Sequence, residues 1–209
     1  MNGLVAQLGA EIDPGVDAVS VDGEPVARAE RVYVLLNKPK GLVTSVKDED
    51  GLDSLTTCLR GLDARVFPVG RLDMDIEGAL LLTNDGELAY RLSSPDHPIE
   101  RVYIAHLGGI MDEATAHRIS NGILVEDGVT ARARTLILHT GVDTSVVRFT
   151  VHEGQKRRIR QLCAMVGHPV QELRRVSEAG LRLERLEPGQ WRHLIEGEVA
   201  GLRRQVNLT

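Results

Sequence analysis

The chain has 209 residues, 42% of them hydrophobic and only 3% aromatic, enough apolar material for one large domain, or a domain with a small module, packed around aliphatic side chains. No apolar run reaches the roughly 18 residues of a membrane span, and the start, Met1-Asn2-Gly3-Leu4, lacks the basic and apolar regions of a secretory signal, so a soluble cytoplasmic protein is expected. Cys58 and Cys163 stand 105 positions apart without a CxxC pair, which argues against a zinc site and gives no reason for a disulfide.

The net charge of −5 is local. Residues 1 to 30 hold six acids against Arg28 alone, and the remaining residues balance. Within that remainder, positions 151 to 209 carry eleven Lys or Arg against seven Asp or Glu, concentrated in Lys156-Arg157-Arg158, Arg160, Arg174-Arg175 and Arg203-Arg204. A basic face toward an anionic partner is one reading, a solvated helix face the other.

In chain order, residues 1 to 26 contain short alternating stretches around Asp13-Pro14-Gly15 and Asp22-Gly23, too little for an independent core. Val32 to Leu36 reads as a strand, Lys38-Pro39-Lys40-Gly41 as a turn and Leu42 to Val46 as a second strand. A lysine at such a turn can meet phosphate. The stretch Gly70-Arg71-Leu72-Asp73-Met74-Asp75-Ile76-Glu77-Gly78-Ala79 follows, a carboxylate beside an arginine, closed in by glycines and running into the apolar Leu80-Leu81-Leu82. By spacing alone it is either a solvated loop or a site.

Leu80 to Thr83 predicts a short buried strand, and Asn84 or Asp85 caps a helix ending near Ser94-Pro95. Arg101 to Leu107 alternates, with Val102, Ile104 and His106 on one face and Arg101, Tyr103 and Ala105 on the other. Tyr103 therefore stands apart from the aliphatic set, either as a stacking surface for a base or as a half-buried strand residue. Asp112 to Ser120 predicts a helix, and Val129 to Leu138 and Ser145 to Val151 predict strands of an antiparallel sheet.

Ile159, Leu162, Cys163 and Val166 recur at helical spacing within Gln155 to Val166, whose first turns are basic. Arg157 and Arg160, three apart, share a face that can address a carboxylate or a phosphate. Gly167-His168-Pro169 ends that helix, and His168 reads as a turn residue. Leu173 to Leu183 reads as two short strands with Arg174 and Arg175 on the turn side, Trp191 as a packing anchor and Gly197 to Gln205 as a final helix.

Taken together, several pieces resemble the pseudouridine synthases of the RsuA and RluB type, which modify ribosomal RNA. Lys38-Pro39 with Gly41 resembles the family's first motif, Gly70-Arg71-Leu72-Asp73 followed by Leu80 to Gly86 its second, and Arg101-Val102-Tyr103 the strand after it. Glu153-Gly154, Arg157, Arg160, Gly167-His168-Pro169 and Pro188-Gly189-Gln190-Trp191-Arg192 resemble its C-terminal half. The opening residues are similar to the second half of an S4 RNA-binding domain.

That resemblance implies an α+β fold with a mixed, mainly antiparallel sheet flanked by helices around a cleft, a remnant or truncated S4-like segment at 1–29 and a catalytic domain at 30–209. It implies isomerisation of a uridine in ribosomal RNA, with a slight preference for the large subunit, by a monomer that needs no cofactor or metal. Asp73 is then the catalytic aspartate, with Tyr103 against the uracil and Arg160 as the cation that keeps the carboxylate charged and fixed. Arg71, Lys38, Arg101, Lys156, Arg157 and Arg175 are the expected RNA contacts.

The departures are Ile76 where the family usually has Thr or Ser, Arg101 for a usual lysine, and Ser177-Glu178-Ala179-Gly180 in place of an Arg-Ile-Gly-Pro type segment. Glu178 in an RNA pocket would repel phosphate. Two alternatives stay open: a non-catalytic ribosomal RNA-binding or assembly factor on a relict synthase fold, and a hydrolase pairing Asp73 with Asp75.

Overall fold

The computed structural model describes residues 2–7, 9–13, 15–26, 29–46, 54–125, 128–152 and 158–208, with the backbone alone at 158. The chain divides into two compact units, Met1–Arg31 and Val32–Thr209. No helix among the described residues is long and apolar enough to cross a membrane.

In the first unit β1 (Ser20–Val21) and β2 (Glu24–Pro25) form an antiparallel hairpin. Asp22 and Gly23 turn it with positive φ of 51° and 86°, the conformation that Asp-Gly favours because its twist matches that of the strands. Asn2 donates to Asp17 at 2.7 Å and accepts from the Ala18 N–H at 2.9 Å. Among its described residues none is buried, so hydrogen bonds and turn geometry, rather than a core, define this unit.

The second unit begins with β3 (Tyr33–Lys38), a 3-10 turn at Leu55–Thr57, β4 (Phe67–Pro68), β5 (Glu77–Thr83) and α1 (Gly86–Ser93). There follow β6 (Arg101–Gly108), α2 (Glu113–Asn121), β7 (Ile123–Leu124), β8 (Thr130–Ala131), β9 (Arg134–Thr140), β10 (Thr144–Val151) and α3 (Arg158–Met165). The chain closes with β11 (Val170–Glu178), β12 (Leu181–Arg182), β13 (Trp191–His193) and α4 (Glu196–Gln205). Nine strands make the main sheet in the order β13-β3-β5-β11-β6-β10-β9, with β4 beside β5 and β12 beside β11. The described pairings in it are antiparallel except β5 with β11. β7 and β8 form a separate ribbon.

Burial follows from the sequence pattern. Val34 to Leu36 and Ala79 to Leu82 are apolar on both faces because both faces are covered. Leu35, Ala79 and Leu81 meet Leu88 and Leu92 of α1 and Leu202 of α4 on one side, while Val34, Leu36, Leu80 and Leu82 meet Leu55, Val66 and the half-buried Trp191 on the other. A third cluster joins Tyr103, Ala105, Leu107, Val147 and Phe149 to Ala116 and Ile119 of α2 and Ile159, Leu162 and Cys163 of α3. Asp85 and Asp112 cap α1 and α2 by accepting the Leu88 and Thr115 N–H groups. Glu198 accepts the Ile195 N–H at the start of α4 and holds Arg192 through two 2.7 Å bonds.

Three expected elements differ. Leu42 to Val46 forms no strand and offers only an isolated bridge, Val43 with Ser54. Val129 to Leu138 is divided into β8 and β9, and of the two strands expected in Leu173 to Leu183 the first, β11, starts earlier at Val170 and runs to Glu178, so Arg174 and Arg175 lie inside it rather than at a turn. The basic first turns expected at Gln155 to Arg157 lie outside the described residues.

The parallel contact of β5 with β11 spans two residue pairs, Glu77 with Arg174 and Gly78 with Arg175. Gly78 has a φ of 136°, and a Cβ on it would stand 2.1 Å from the Arg175 carbonyl oxygen. Backbone packed against backbone cannot yield as a flexible side chain can. Gly78→Ala is therefore expected to cost on the order of 2–5 kcal/mol, from backbone strain plus overpacking. Gly86→Ala, at a site with nothing within 4 Å of a Cβ, should keep its urea midpoint close to that of the parent chain.

Candidate active site

Asp73 is half-buried on a tight turn that enters β5 at its junction with β11. The residues around it are fixed from several directions. Leu72 and Ile76, on either side, are buried in the cluster that contains Tyr103, Phe149, Ile159 and Leu162. The Ile76 N–H donates to the Asp73 carbonyl at 3.1 Å and the Gly41 N–H to the Met74 carbonyl at 2.8 Å. The Thr44 hydroxyl donates to the Leu72 carbonyl and accepts the Leu72 N–H at 3.0 Å. The turn is therefore held by its own backbone, by the Gly41 N–H and by the Thr44 hydroxyl, and Asp73 sits on an ordered scaffold.

Beneath the turn lies a set of buried charges. Lys38, fully buried, donates to the Pro39 and Leu42 carbonyls, both at 2.9 Å. Burial pushes its ammonium down to about 8; Asp75 and Asp73 oppose the shift while Arg175 adds to it. Arg101 Nε donates to Glu178 Oε1 at 2.9 Å, and Arg175 Nη2 stands 3.1 Å from Glu178 Oε2. Arg175 Nε donates to the Ala79 carbonyl at 2.6 Å, and the Leu81 N–H donates to Glu178 at 3.3 Å. Where the β5–β11 backbone ladder ends, side chains of β11 take over its hydrogen bonds.

Tyr103 pairs with Arg175 across β6 and β11 and with Phe149 across β6 and β10. It is fully buried, and its hydroxyl has no hydrogen-bond partner among the described residues. Burial pushes the phenol up, with Glu178 acting in the same direction and Arg175 against it, so Tyr103 is a neutral aromatic surface. Burial also pushes the Cys163 thiol up to about 12, which makes that cysteine a core residue rather than a nucleophile.

These placements change several expectations. The residues divide between the faces of β6 as expected: Arg101, Tyr103 and Ala105 lie on the core face and Val102, Ile104 and His106 on the more open one, which makes Tyr103 fully rather than half buried. Lys38, Arg101 and Arg175 do not offer their charges to solvent and cannot serve as surface contacts to RNA, because each is buried on internal acceptors. Glu178 is buried too and faces two arginines, so it presents no repulsive charge to an incoming phosphate.

Arg160 donates to Asp75 Oδ2 at 2.6 Å, making Asp75 rather than Asp73 its carboxylate partner. Ile76 is core rather than pocket lining. Arg71 is exposed on the turn. Lys156 and Arg157 lie outside the described residues. His168 contacts the Gly108 carbonyl at 3.1 Å, a turn role as expected. The Thr44 clamp and the Asp75 contact were missed: no motif marks Thr44, and Asp75 differs from any turn acid only by its reach to a helix 85 residues away.

Comparison with known proteins converges on one group. The model of the family described as RNA pseudouridylate synthase matches residues 32–165. A protein of Aquifex aeolicus, described as an uncharacterized RNA pseudouridine synthase, is 38% identical over 98% of this chain and 83% of its own. The ribosomal large subunit pseudouridine synthase B of Bacillus subtilis is 38% identical over 96% of this chain and 82% of its own. A crystal structure of a pseudouridylate synthase superposes with a TM-score of 0.73 at 29% identity, covering 96% of this chain and 86% of that one.

Lys38 makes the stability of the site depend on pH. Its folded value, about 8, lies below the ordinary 10.5, so between these values the unfolded chain binds more protons and native stability rises with pH. Below about 8 the cost of the buried ammonium is carried in full. Urea unfolding at pH 7.5 and 9.5 should show an increment on the order of 1–3 kcal/mol that Lys38→Met lacks, although that variant is less stable at both pH values because two carbonyls lose their donor. In its sequence motifs, its sheet and its matched relatives alike, this chain belongs to the RNA pseudouridylate synthase family.

Proposed function

We propose that the chain isomerises a uridine of ribosomal RNA to pseudouridine, with the Asp73 carboxylate at the reacting sugar and Tyr103 against the base. The C1′–N1 bond breaks, the uracil turns, and a C1′–C5 bond forms; the proton lost from C5 balances the one gained at N1. Asp73 either attacks C1′ or promotes departure of the base. The observation that supports this reading most directly is the single buried cluster shared by Leu72, Ile76 and Tyr103, which makes the carboxylate turn and the aromatic surface parts of one wall.

An apolar wall suits the chemistry. Water reaching the activated sugar would turn isomerisation into hydrolysis, so the site needs a surface that excludes it. Tyr103 is closed off from solvent here, so it meets a uracil ring only once the turn above it opens, and it then supplies no competing base, since its phenol is held neutral. Arg160, held near the turn by Asp75, supplies the cation that faces Asp73 or the phosphate of the extruded nucleotide. Arg71, with Lys156 and Arg157 on sequence grounds, is assigned to the RNA backbone.

Residues 1–29 are read as an S4-like segment that adds RNA contact, and 30–209 as the catalytic domain. The name of the Bacillus subtilis relative supports a large-subunit target; a monomer acting in the cytoplasm is read from the sequence resemblance alone. Release of tritium from ribosomal RNA labelled at uridine C5 tests the reaction. Asp73→Asn should lower it to under about 1% of the parent rate while the dissociation constant for the same RNA stays within about threefold. Turnover retained by Asp73→Asn sinks the assignment of that residue. Bound RNA without tritium release by the parent chain favours the assembly-factor reading.

A further inference from the structure

Two of the chain's departures from its family's pattern, Arg101 and Glu178, touch each other. They lie 77 positions apart in sequence, and Arg101 Nε donates to Glu178 Oε1 at 2.9 Å with both side chains almost wholly buried. The other carboxylate oxygen of Glu178 faces Arg175 at 3.1 Å and accepts the Leu81 N–H at 3.3 Å. Arg101 reaches under Gly70, at the other end of the Asp73 turn, where a Cβ would meet Arg101 Nη2 at 3.6 Å. One carboxylate thus connects β5, β6, β11 and the base of the turn.

We propose that Glu178 is a positioning residue for the isomerisation, acting through Arg101 and Arg175 to hold the Asp73 turn and Tyr103 in register. It touches neither reacting group. Arg175 is the cross-strand neighbour of Tyr103, and its Nε bond to the Ala79 carbonyl lies six residues beyond Asp73 on the continuous path into β5. Moving Glu178 releases both arginines, one under each end of the turn. A displacement of about 1 Å in such a constellation is enough to lower turnover about 100-fold without altering how the rest of the RNA binds.

A plain structural role is the competing account. Glu178 is shared by two buried arginines, so its loss costs stability whatever its catalytic role, and only turnover measured where a variant is folded separates the two roles. The proposal rests on the assignment of Asp73 and Tyr103 made above, and Asp73→Asn serves as its control in the same tritium-release assay. Glu178→Gln keeps the shape and removes the charge; Arg101→Met combined with Glu178→Met removes the pair while leaving the net charge unchanged.

In the double variant Arg175 keeps its buried charge without its acid, so the thermal midpoint should fall; at a temperature where circular dichroism shows the variant folded, KM for a ribosomal RNA fragment should stay within about threefold and kcat should fall about 10- to 100-fold. Glu178→Gln should show the same split between KM and kcat. A kcat within about twofold of the parent in a folded variant, with Asp73→Asn inactive, overturns the positioning role and leaves the catalytic assignment standing. Loss of turnover that tracks loss of fold in both variants overturns it in favour of the structural account. Turnover retained by Asp73→Asn overturns the underlying assignment and this inference with it.

Discussion

The two halves of the main sheet meet through two residue pairs, and past Gly78 the side chains of β11 replace its backbone as partners of β5. Such a junction holds only if three conditions are met together. Residue 78 must lack a side chain, because the Arg175 backbone occupies that space. Arg175 must be long enough to return to the Ala79 carbonyl, and an acid must balance the arginines brought inside. Unmet backbone groups at a buried strand would each cost a few kcal/mol, so the ladder cannot simply stop there. The Asp73 turn inherits its position from this junction, since only four residues separate Asp73 from Gly78.

Charge is distributed accordingly. Arg101 and Arg175 are buried against Glu178 and Lys38 against two backbone carbonyls, while Asp73 and Asp75 lie on the turn. Three internal cations against one internal acid leave a positive floor, and the two carboxylates of the turn complete the balance. Interactions of this kind amount to a few kcal/mol at a separation of about 4 Å in an effective dielectric near 20. Exposed basic groups such as Arg71 and Arg160 stand above that floor, the part of the surface that an RNA phosphate can reach without crossing it.

Much of this was readable before any coordinates. Alternation at Arg101 to Leu107, the cap at Asp85, the helix after Asp112, and the apolar runs at Val34 and Leu80 depend on neighbours in sequence, and they formed as expected. The failures share one cause. Arg101, Arg175 and Lys38 look like surface charges until their partners appear, and those partners are either distant in sequence or carbonyls that no pattern marks. The sequence leaves Tyr103 open between a stacking surface and a half-buried strand residue, because the pattern of β6 does not say which of its faces the core covers. Glu178, taken alone, looked hostile to RNA; its meaning resides in two arginines that flank it in space. Leu42 to Val46 had the composition of a strand, but Thr44 spends its hydroxyl on Leu72 and no strand forms there.

Arg160 illustrates how little an ion pair seen in one structure constrains chemistry. Its contact with Asp75 is short, yet the two side chains are 39% and 64% exposed. An exposed pair of this type contributes roughly 0–1 kcal/mol, because water and salt compete for both charges. Asp73 and Asp75 are two residues apart on one turn, so a guanidinium that reaches one is a short side-chain rotation from the other. Extruding a nucleotide from its stack costs a few kcal/mol, several times what the Asp75 contact can hold back. The ordered parts of the site are therefore the turn, its buried floor and the Tyr103 wall, and Arg160 is the group that an arriving phosphate can most cheaply redirect.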